Sequence, residues 1–290
     1  MKVSGFTFIR NAVTNDYPVK AAIESILPIC DDFYVAMGLP DDGTKNLIES
    51  INSPKIKLFT TTWDESLRTG GRVFARETDK AMDAIPPDTD WAFYIQGDEC
   101  VHEKYLPVIY EAMERYLHDP LVEGLLFKYL HFYGSYDYVG SSRGWYRNEI
   151  RVVRNNKAIR SYRDAQGFRI NDRKLRVKQI DAYIYHYGWA QSSKGLANKV
   201  HNFSTFYSGE QAVKTAPKAE FDYSNSARML KFSGDHPAVI RERAANSAAT
   251  FSPEEFKGME KLSLRRRLLQ KLEDMTGYRL GEYKNYRIIR

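Results

Sequence analysis

The chain has 290 residues, 43% apolar and 28% charged, a globular mixture rather than a disordered one. Its net charge of +6 gathers in the last thirty residues, where Lys261, Arg265, Arg266, Arg267, Lys271, Arg279, Lys284, Arg287 and Arg290 stand, a pattern suited to anionic lipid, to phosphate or to a solvated helix face. Cys30 and Cys100 build no disulfide framework and lack metal spacing, so a reducing, cytoplasmic setting is expected; no apolar run is long enough to span a membrane, and the first residues lack a secretory h-region.

In chain order, Val3 to Ile9 predicts a strand and Pro18 to Leu27 an amphipathic helix. Phe33 to Met37 predicts a second strand, followed by the turn-rich Pro40-Asp41-Asp42-Gly43-Thr44 and a helix through Asn46 to Ile51. Ile56 to Thr60 predicts a third strand, Arg72 to Ile85 a helix, and Trp91 to Ile95 a fourth strand ending at Gln96-Gly97-Asp98-Glu99. Strands alternating with helices predict an α/β fold with a mostly parallel sheet covered by helices. From Gly124 the texture changes: Leu125 to His131, Glu149 to Arg154 and Leu175 to Tyr185 predict the strands of a mixed second half. From about Phe251 a charged helical tail follows, without a sheet partner in view. The expected division is a domain over 1–215 and a basic, largely helical extension over 216–290.

Open α/β sheets bind ligands at the carboxyl ends of their strands. Arg10-Asn11, the Gly38 to Asp42 loop and Gln96 to Glu99 all follow strands and would meet at one edge. Asp98 and Glu99 are adjacent carboxylates that would hold a hard divalent cation with substrate phosphates, or else cap a helix near His102. Asp164, in Asp164-Ala165-Gln166-Gly167-Phe168-Arg169, is either a general base or an ordinary turn residue. His186, in Tyr185-His186-Tyr187-Gly188-Trp189, is either a metal ligand or a core histidine. Arg72 and Arg76 share a helix face fit for clamping phosphate. In the segment with Arg143, Arg147, Arg151 and Arg154, strand alternation puts Arg147, Arg151 and Arg143 toward solvent. Tyr133, Tyr136, Tyr138, Trp145 and Tyr146 would stack on sugar rings or pack beneath a loop. No glycine-rich phosphate loop is present.

Taken in order, Arg10-Asn11, Asp42-Gly43-Thr44, Arg72/Arg76, Gly97-Asp98-Glu99, the Asp164 segment and His186-Tyr187-Gly188-Trp189 resemble family 2-type glycosyltransferases of the GT-A fold over roughly residues 3 to 205. The resemblance implies a nucleotide-diphosphate sugar donor, a glycan or glycolipid acceptor, inverting transfer, and assistance from Mn²⁺ or Mg²⁺. It implies Asp98 and His186, with Glu99, as metal contacts, and Asp164 as catalytic base. It implies Arg10, Asn11, Asp41, Asp42, Arg72, Arg76, Gln96 and Gly97 as donor-binding residues. A cytoplasmic enzyme of cell-surface polysaccharide synthesis, its tail resting on an anionic membrane, is the implied setting; no nucleic-acid motif is present. Two departures stand out: Gln96 replaces the first acid of the metal-binding Asp-x-Asp element, and Met37 replaces the acid that usually contacts the base. A nucleotidyltransferase would need an early glycine-rich loop that Ile9-Arg10-Asn11-Ala12 does not supply, and a non-catalytic glycan-binding module is the other alternative.

Overall fold

The computed structural model describes residues 1–64, 66–67, 69–190, 196–197, 199–201, 206–207, 228–247 and 263–290. The expected boundary between 215 and 216, and residues 251–262 of the tail, lie outside them.

Strands β1 (Val3–Ile9), β2 (Asp32–Gly38), β3 (Ile56–Thr61) and β4 (Trp91–Tyr94) form a parallel sheet in the order β3-β2-β1-β4. They are connected through helices α1 (Val19–Ile26), α2 (Thr44–Glu49) and α3 (Arg72–Asp83). The strands are apolar because both faces are covered: Phe33, Val35 and Phe93 are fully buried on one side with Val19, Ile23 and Ile26 of α1, and Phe6, Ala92 and Tyr94 on the other with Val73 and Met82 of α3. α1 and α3 each turn one apolar face to the sheet, as expected of surface helices.

Beyond β4 the sheet changes direction. After α4 (Leu106–Arg115) come β6 (Gly124–Tyr133), β8 (Asn148–Arg154), β9 (Ile159–Tyr162), β10 (Gly167–Ile170) and β11 (Arg173–Trp189). They extend it as β4-β8-β6-β11-β10-β9, with β8 antiparallel to both its neighbours and β11 parallel to β6. Two short strands flank this path, β5 (Glu99–Val101) against β11 and β7 (Tyr138–Gly140) against β6. The α/β fold and its mixed second half are thus the architecture found.

The tail departs from expectation. After β12 (Met229–Lys231), α5 (Ala238–Asn246) and α6 (Leu264–Thr276), the chain ends in β13 (Tyr286–Ile288), which adds to β11 in parallel and buries Tyr286 in the core. The charged end does have a sheet partner. Arg143 and Arg147, expected toward solvent, tie it down through Glu273 at 2.7 Å and Glu282 at 2.9 Å.

Candidate active site

Because β3, β2, β1 and β4 run parallel, their carboxyl ends open onto one edge, adjacent strands lying about 5 Å apart. Side chains lock the loops there together. Asp42 accepts from the Thr14 backbone N–H at 2.6 Å and from the Thr44 hydroxyl at 2.5 Å, while Thr44 Oγ1 accepts from the Ala12 N–H at 2.8 Å. Burial raises the Asp42 pKa, but the hydrogen bonds from Thr44 and Thr14 outweigh it and leave the carboxyl below its ordinary range. Asp41 accepts from the Gly43 and Lys45 N–H groups, each at 3.1 Å. Asn11 adopts a left-handed conformation (φ 56°) at the turn leaving β1.

Arg10, Leu39, Pro40, Asp41, Thr62 and Trp63 line a hollow of about 600 Å³ over the ends of β1, β2 and β3. The Arg10 guanidinium lies 5.2 Å from the Trp63 ring centre, and the buried Trp63 indole N–H finds no hydrogen-bond partner among the described residues. Gly38 keeps its glycine here because a Cβ would stand 2.3 Å from Trp63 Nε1.

One strand over, the β4 loop carries Gln96 to Glu99. Gly97 packs against Ile9 at the end of β1, where a Cβ would meet Ile9 Cδ1 at 2.7 Å. Asp98 and Glu99 then part. β5 pairs antiparallel with β11, so that Glu99 stands opposite His186 and the Asp98 carbonyl receives the Tyr187 N–H at 2.8 Å. The Asp98 side chain therefore meets the end of β11: Oδ2 accepts from Lys199 Nζ at 3.0 Å and lies 3.7 Å from His186 Nε2. Lys199 also donates to the Gly188 carbonyl at 2.6 Å, between the rings of Tyr17 and Trp189 at 5.3 and 5.6 Å. Burial raises the Asp98 pKa, yet the ammonium of Lys199 and the imidazole of His186 overcome it and hold the carboxyl far below the usual range.

The tautomers follow from the partners. His131 is buried, which with the neighbouring His186 pushes its pKa far down and keeps it neutral. Its Nε2 faces the Tyr146 carbonyl at 2.7 Å and must donate, so its Nδ1 accepts from His186 Nδ1 at 3.0 Å. That leaves His186 Nε2 turned toward Asp98.

Glu99 goes the other way, into the core. Arg151 grips it with Nη2 to Oε1 at 2.8 Å and Nε to Oε2 at 2.9 Å, both side chains fully buried. The Tyr129 hydroxyl and the Gln96 N–H donate to it as well, at 2.8 and 3.1 Å. Arg151 thus lies inside, not in solvent as alternation implied. It is the extra residue of a β-bulge: Val152 pairs with Leu125 and Ile150 with Leu126, and the added residue breaks the two-residue period.

Asp164 sits in the β9–β10 turn between Arg163 and Ala165, both with positive φ (57° and 62°). It presses on Gly71 at the start of α3, where a Cβ would stand 2.6 Å from its own, and its Oδ2 accepts from the Tyr207 hydroxyl at 2.6 Å. Gln96 joins this turn to the Asp98 loop by donating its Nε2 to the Ala165 carbonyl at 3.2 Å. An acid could not make that bond, so the departure at Gln96 has a structural cause. Arg72 and Arg76 are exposed on α3, whose first turn adjoins Asp164.

The structure thus gathers Arg10, Asn11, Asp41, Asp42, Gln96, Gly97, Asp98, His186 and Asp164 along one edge, with Arg72 and Arg76 beside it and Glu99 beneath it. Sequence reasoning missed Lys199, Trp63, Tyr207 and the role of Arg151. Lys199 had no local signal, being a single lysine brought to Asp98 only by the pairing of β5 with β11.

These residues do not fit a divalent cation. Asp98 Oδ2, Lys199 Nζ and His186 Nε2 converge within 2.3, 2.6 and 2.7 Å of one point, the position a Cβ on Gly188 would take. One of the three is an ammonium, which has no lone pair to give a metal and repels it. Glu99 is committed to Arg151, and Gln96 to Ala165. Among the described residues no group of three or more His, Cys, Asp or Glu side chains is set to hold a metal.

The sequence matches no family model and none of the curated proteins. Among solved structures it is similar to 4-diphosphocytidyl-2C-methyl-D-erythritol synthase from Anaerococcus prevotii, at 11% identity over 71% of this chain and 95% of that one, with a TM-score of 0.40. It is also similar to S. aureus TarS 1-349 in complex with UDP, at 12% identity over 71% and 65%, with a TM-score of 0.37. A third is glucosyl-3-phosphoglycerate synthase from Mycobacterium tuberculosis with Mn²⁺ and UDP-glucose, at 14% identity over 45% and 44%, with a TM-score of 0.31. The chain spans less than two thirds of the length of these last two.

Proposed function

We propose that the chain is a GT-A-type glycosyltransferase that moves a sugar from a nucleotide-diphosphate sugar to a hydroxyl of a glycan or glycolipid, with inversion. The observation that carries this reading is the shared edge: a hollow at Arg10 and Trp63, a buried cluster of Lys199, Asp98 and His186 one strand away, and a carboxylate at Asp164 tied to the Asp98 loop through Gln96. In this reading the nucleoside lies in the hollow, with Asp41 in its wall, Asp42 and Asn11 holding the adjoining loops, and Gly97 admitting the diphosphate. The diphosphate reaches toward Asp98, Lys199 and His186, and Arg72 and Arg76 face its outer side.

The acceptor oxygen bonds to the anomeric carbon as that carbon's bond to the β-phosphate oxygen breaks. The nucleoside diphosphate leaves with the electron pair, and the acceptor proton passes to Asp164. Tyr207 holds one oxygen of that carboxylate; among the described residues the other accepts no hydrogen bond. The side chains around Asp98 do not suit a divalent cation, because the ammonium of Lys199 occupies the place one would take. Transfer from a panel of labelled nucleotide sugars tests the reading. Asp164→Asn is expected to lower kcat by about 10²–10⁴-fold with donor binding retained. Unchanged turnover in that variant would remove Asp164 from the chemistry.

We also infer that the C-terminal segment rests on an anionic membrane, through α6. This helix is docked by its polar side: Gln270 is buried, Glu273 is held by Arg143 and Arg279, and Asp274 by Arg228. Its apolar stripe, Leu264, Leu268, Leu272 and Met275, faces outward at 78, 67, 42 and 86% exposure. At 100° per residue, Arg265 borders that stripe on one side and Arg267 and Lys271 on the other, the arrangement of a helix lying in a lipid interface. Co-sedimentation with phosphatidylglycerol vesicles, weaker with pure phosphatidylcholine and lost in Leu268→Glu/Leu272→Glu, is expected. Vesicle binding untouched by that variant, or self-association abolished by it, would point to a different role for the stripe. Among the described residues no helix is long and apolar enough to cross a membrane.

A further inference from the structure

We propose that the ammonium of Lys199 takes the place of a divalent cation at the donor's diphosphate, so that donor binding needs no metal. This deepens the glycosyl-transfer reading and rests on it.

A nucleoside diphosphate brings two or more negative charges to a sheet edge where Asp98 already contributes another, and an anion so close is tolerable only with a cation between. A hard metal would ordinarily fill that place, held by carboxylates and open to phosphate oxygens. Here the place is taken by a side chain. Lys199 Nζ lies 3.0 Å from Asp98 Oδ2 and 2.6 Å from the Gly188 carbonyl, with the lysine side chain only 7% exposed. The carboxylate anchors the ammonium as it would anchor a metal, and the Gly188 carbonyl fixes it from a second direction.

The surroundings agree. Tyr17 and Trp189 place their rings 5.3 and 5.6 Å from the ammonium, contacts that attract a cation. Gly188 lacks the Cβ that would stand 2.6 Å from Nζ, so the backbone of β11 leaves room for the cluster. Gln96, where a second metal-binding acid would be needed, instead spends its amide on the Ala165 carbonyl. Each of these features makes sense with a built-in cation and costs affinity for a mobile one. An ammonium also matches the duty: it neutralises charge building on the leaving diphosphate as the anomeric bond breaks.

Isothermal titration with UDP, GDP and dTDP, each in EDTA and in Mn²⁺, tests the proposal. The wild-type chain is expected to bind the preferred diphosphate with the same Kd, within about threefold, in both buffers. Lys199→Gln is expected to weaken binding in EDTA by about 10- to 100-fold, the worth of a lost charge-assisted hydrogen bond, with Lys199→Arg intermediate. Thermal melting reports whether the variants fold, and the wild-type comparison decides without them. Binding that appears only with Mn²⁺ would overturn the role of Lys199 while leaving the glycosyl-transfer reading standing. No binding of any diphosphate in either buffer would overturn both.

Discussion

The two halves of the sheet build their shares of the site in different ways. In the parallel half, each functional loop directly follows its strand: Arg10 after β1, Leu39 to Asp42 after β2, Gln96 to Asp98 after β4. In the mixed half, the contributing groups are interior strand residues and distant partners: Arg151 from a bulge, His131 and His186 from facing positions on parallel strands, Lys199 from beyond β11. The first kind of site is assembled by connectivity, the second by register. The adjacent residues Asp98 and Glu99 mark the border between them, since one faces the open edge with Lys199 and the other is sealed beneath it with Arg151.

That contrast can be broken most forcefully at the buried pair. Arg151→Met leaves Glu99 fully buried without its guanidinium partner, and is expected to cost about 3–5 kcal/mol of stability in urea unfolding. Asp98→Asn, at the open edge, is expected to cost much less stability while impairing nucleotide binding. Equal stability losses from the two would erase the distinction between a structural and a functional carboxylate.

A smaller effect sharpens the same border. Glu149 lies beneath the Asp164 turn, near Arg151, but Arg151 is already gripping Glu99. Burial raises the Glu149 pKa, Arg151 and Gln166 offset only part of the rise, and the charge of Glu99 adds to it, so that it reaches about 8. The folded state therefore keeps the proton that the unfolded chain releases near its ordinary value of 4.5. The stability this provides is present in full below that lower value and is lost as pH rises through about 8. Glu149→Gln is expected to flatten this decline and raise the melting temperature at pH 8.5 relative to wild type, with little gain at pH 4.5. A parallel pH profile in the variant would mean that Glu149 is ionised in the fold.

The same contrast explains what could be read from sequence. Apolar strands alternating with amphipathic helices reported β1 to β4 and α1 to α3 within a few residues, because burial on both faces leaves a plain local pattern. The loops at their ends were legible for the same reason. The role of Arg151 was not, because the bulge at that residue cancels the alternation on which its orientation was judged. Lys199 and Tyr207 were missed because nothing near them in sequence resembles their partners Asp98 and Asp164, 101 and 43 residues away. The tail was read as a charged helix without a sheet partner because Tyr286–Ile288 is too short a strand to show a period beside so many basic residues.

A crystal structure of the chain with a nucleoside diphosphate would show where the donor lies. The expected result is a base in the hollow of Arg10, Leu39 and Trp63, with the diphosphate running along the sheet edge to Lys199 and His186. A diphosphate bound away from that edge, with the hollow empty, would mean that the sheet edge is not the donor site.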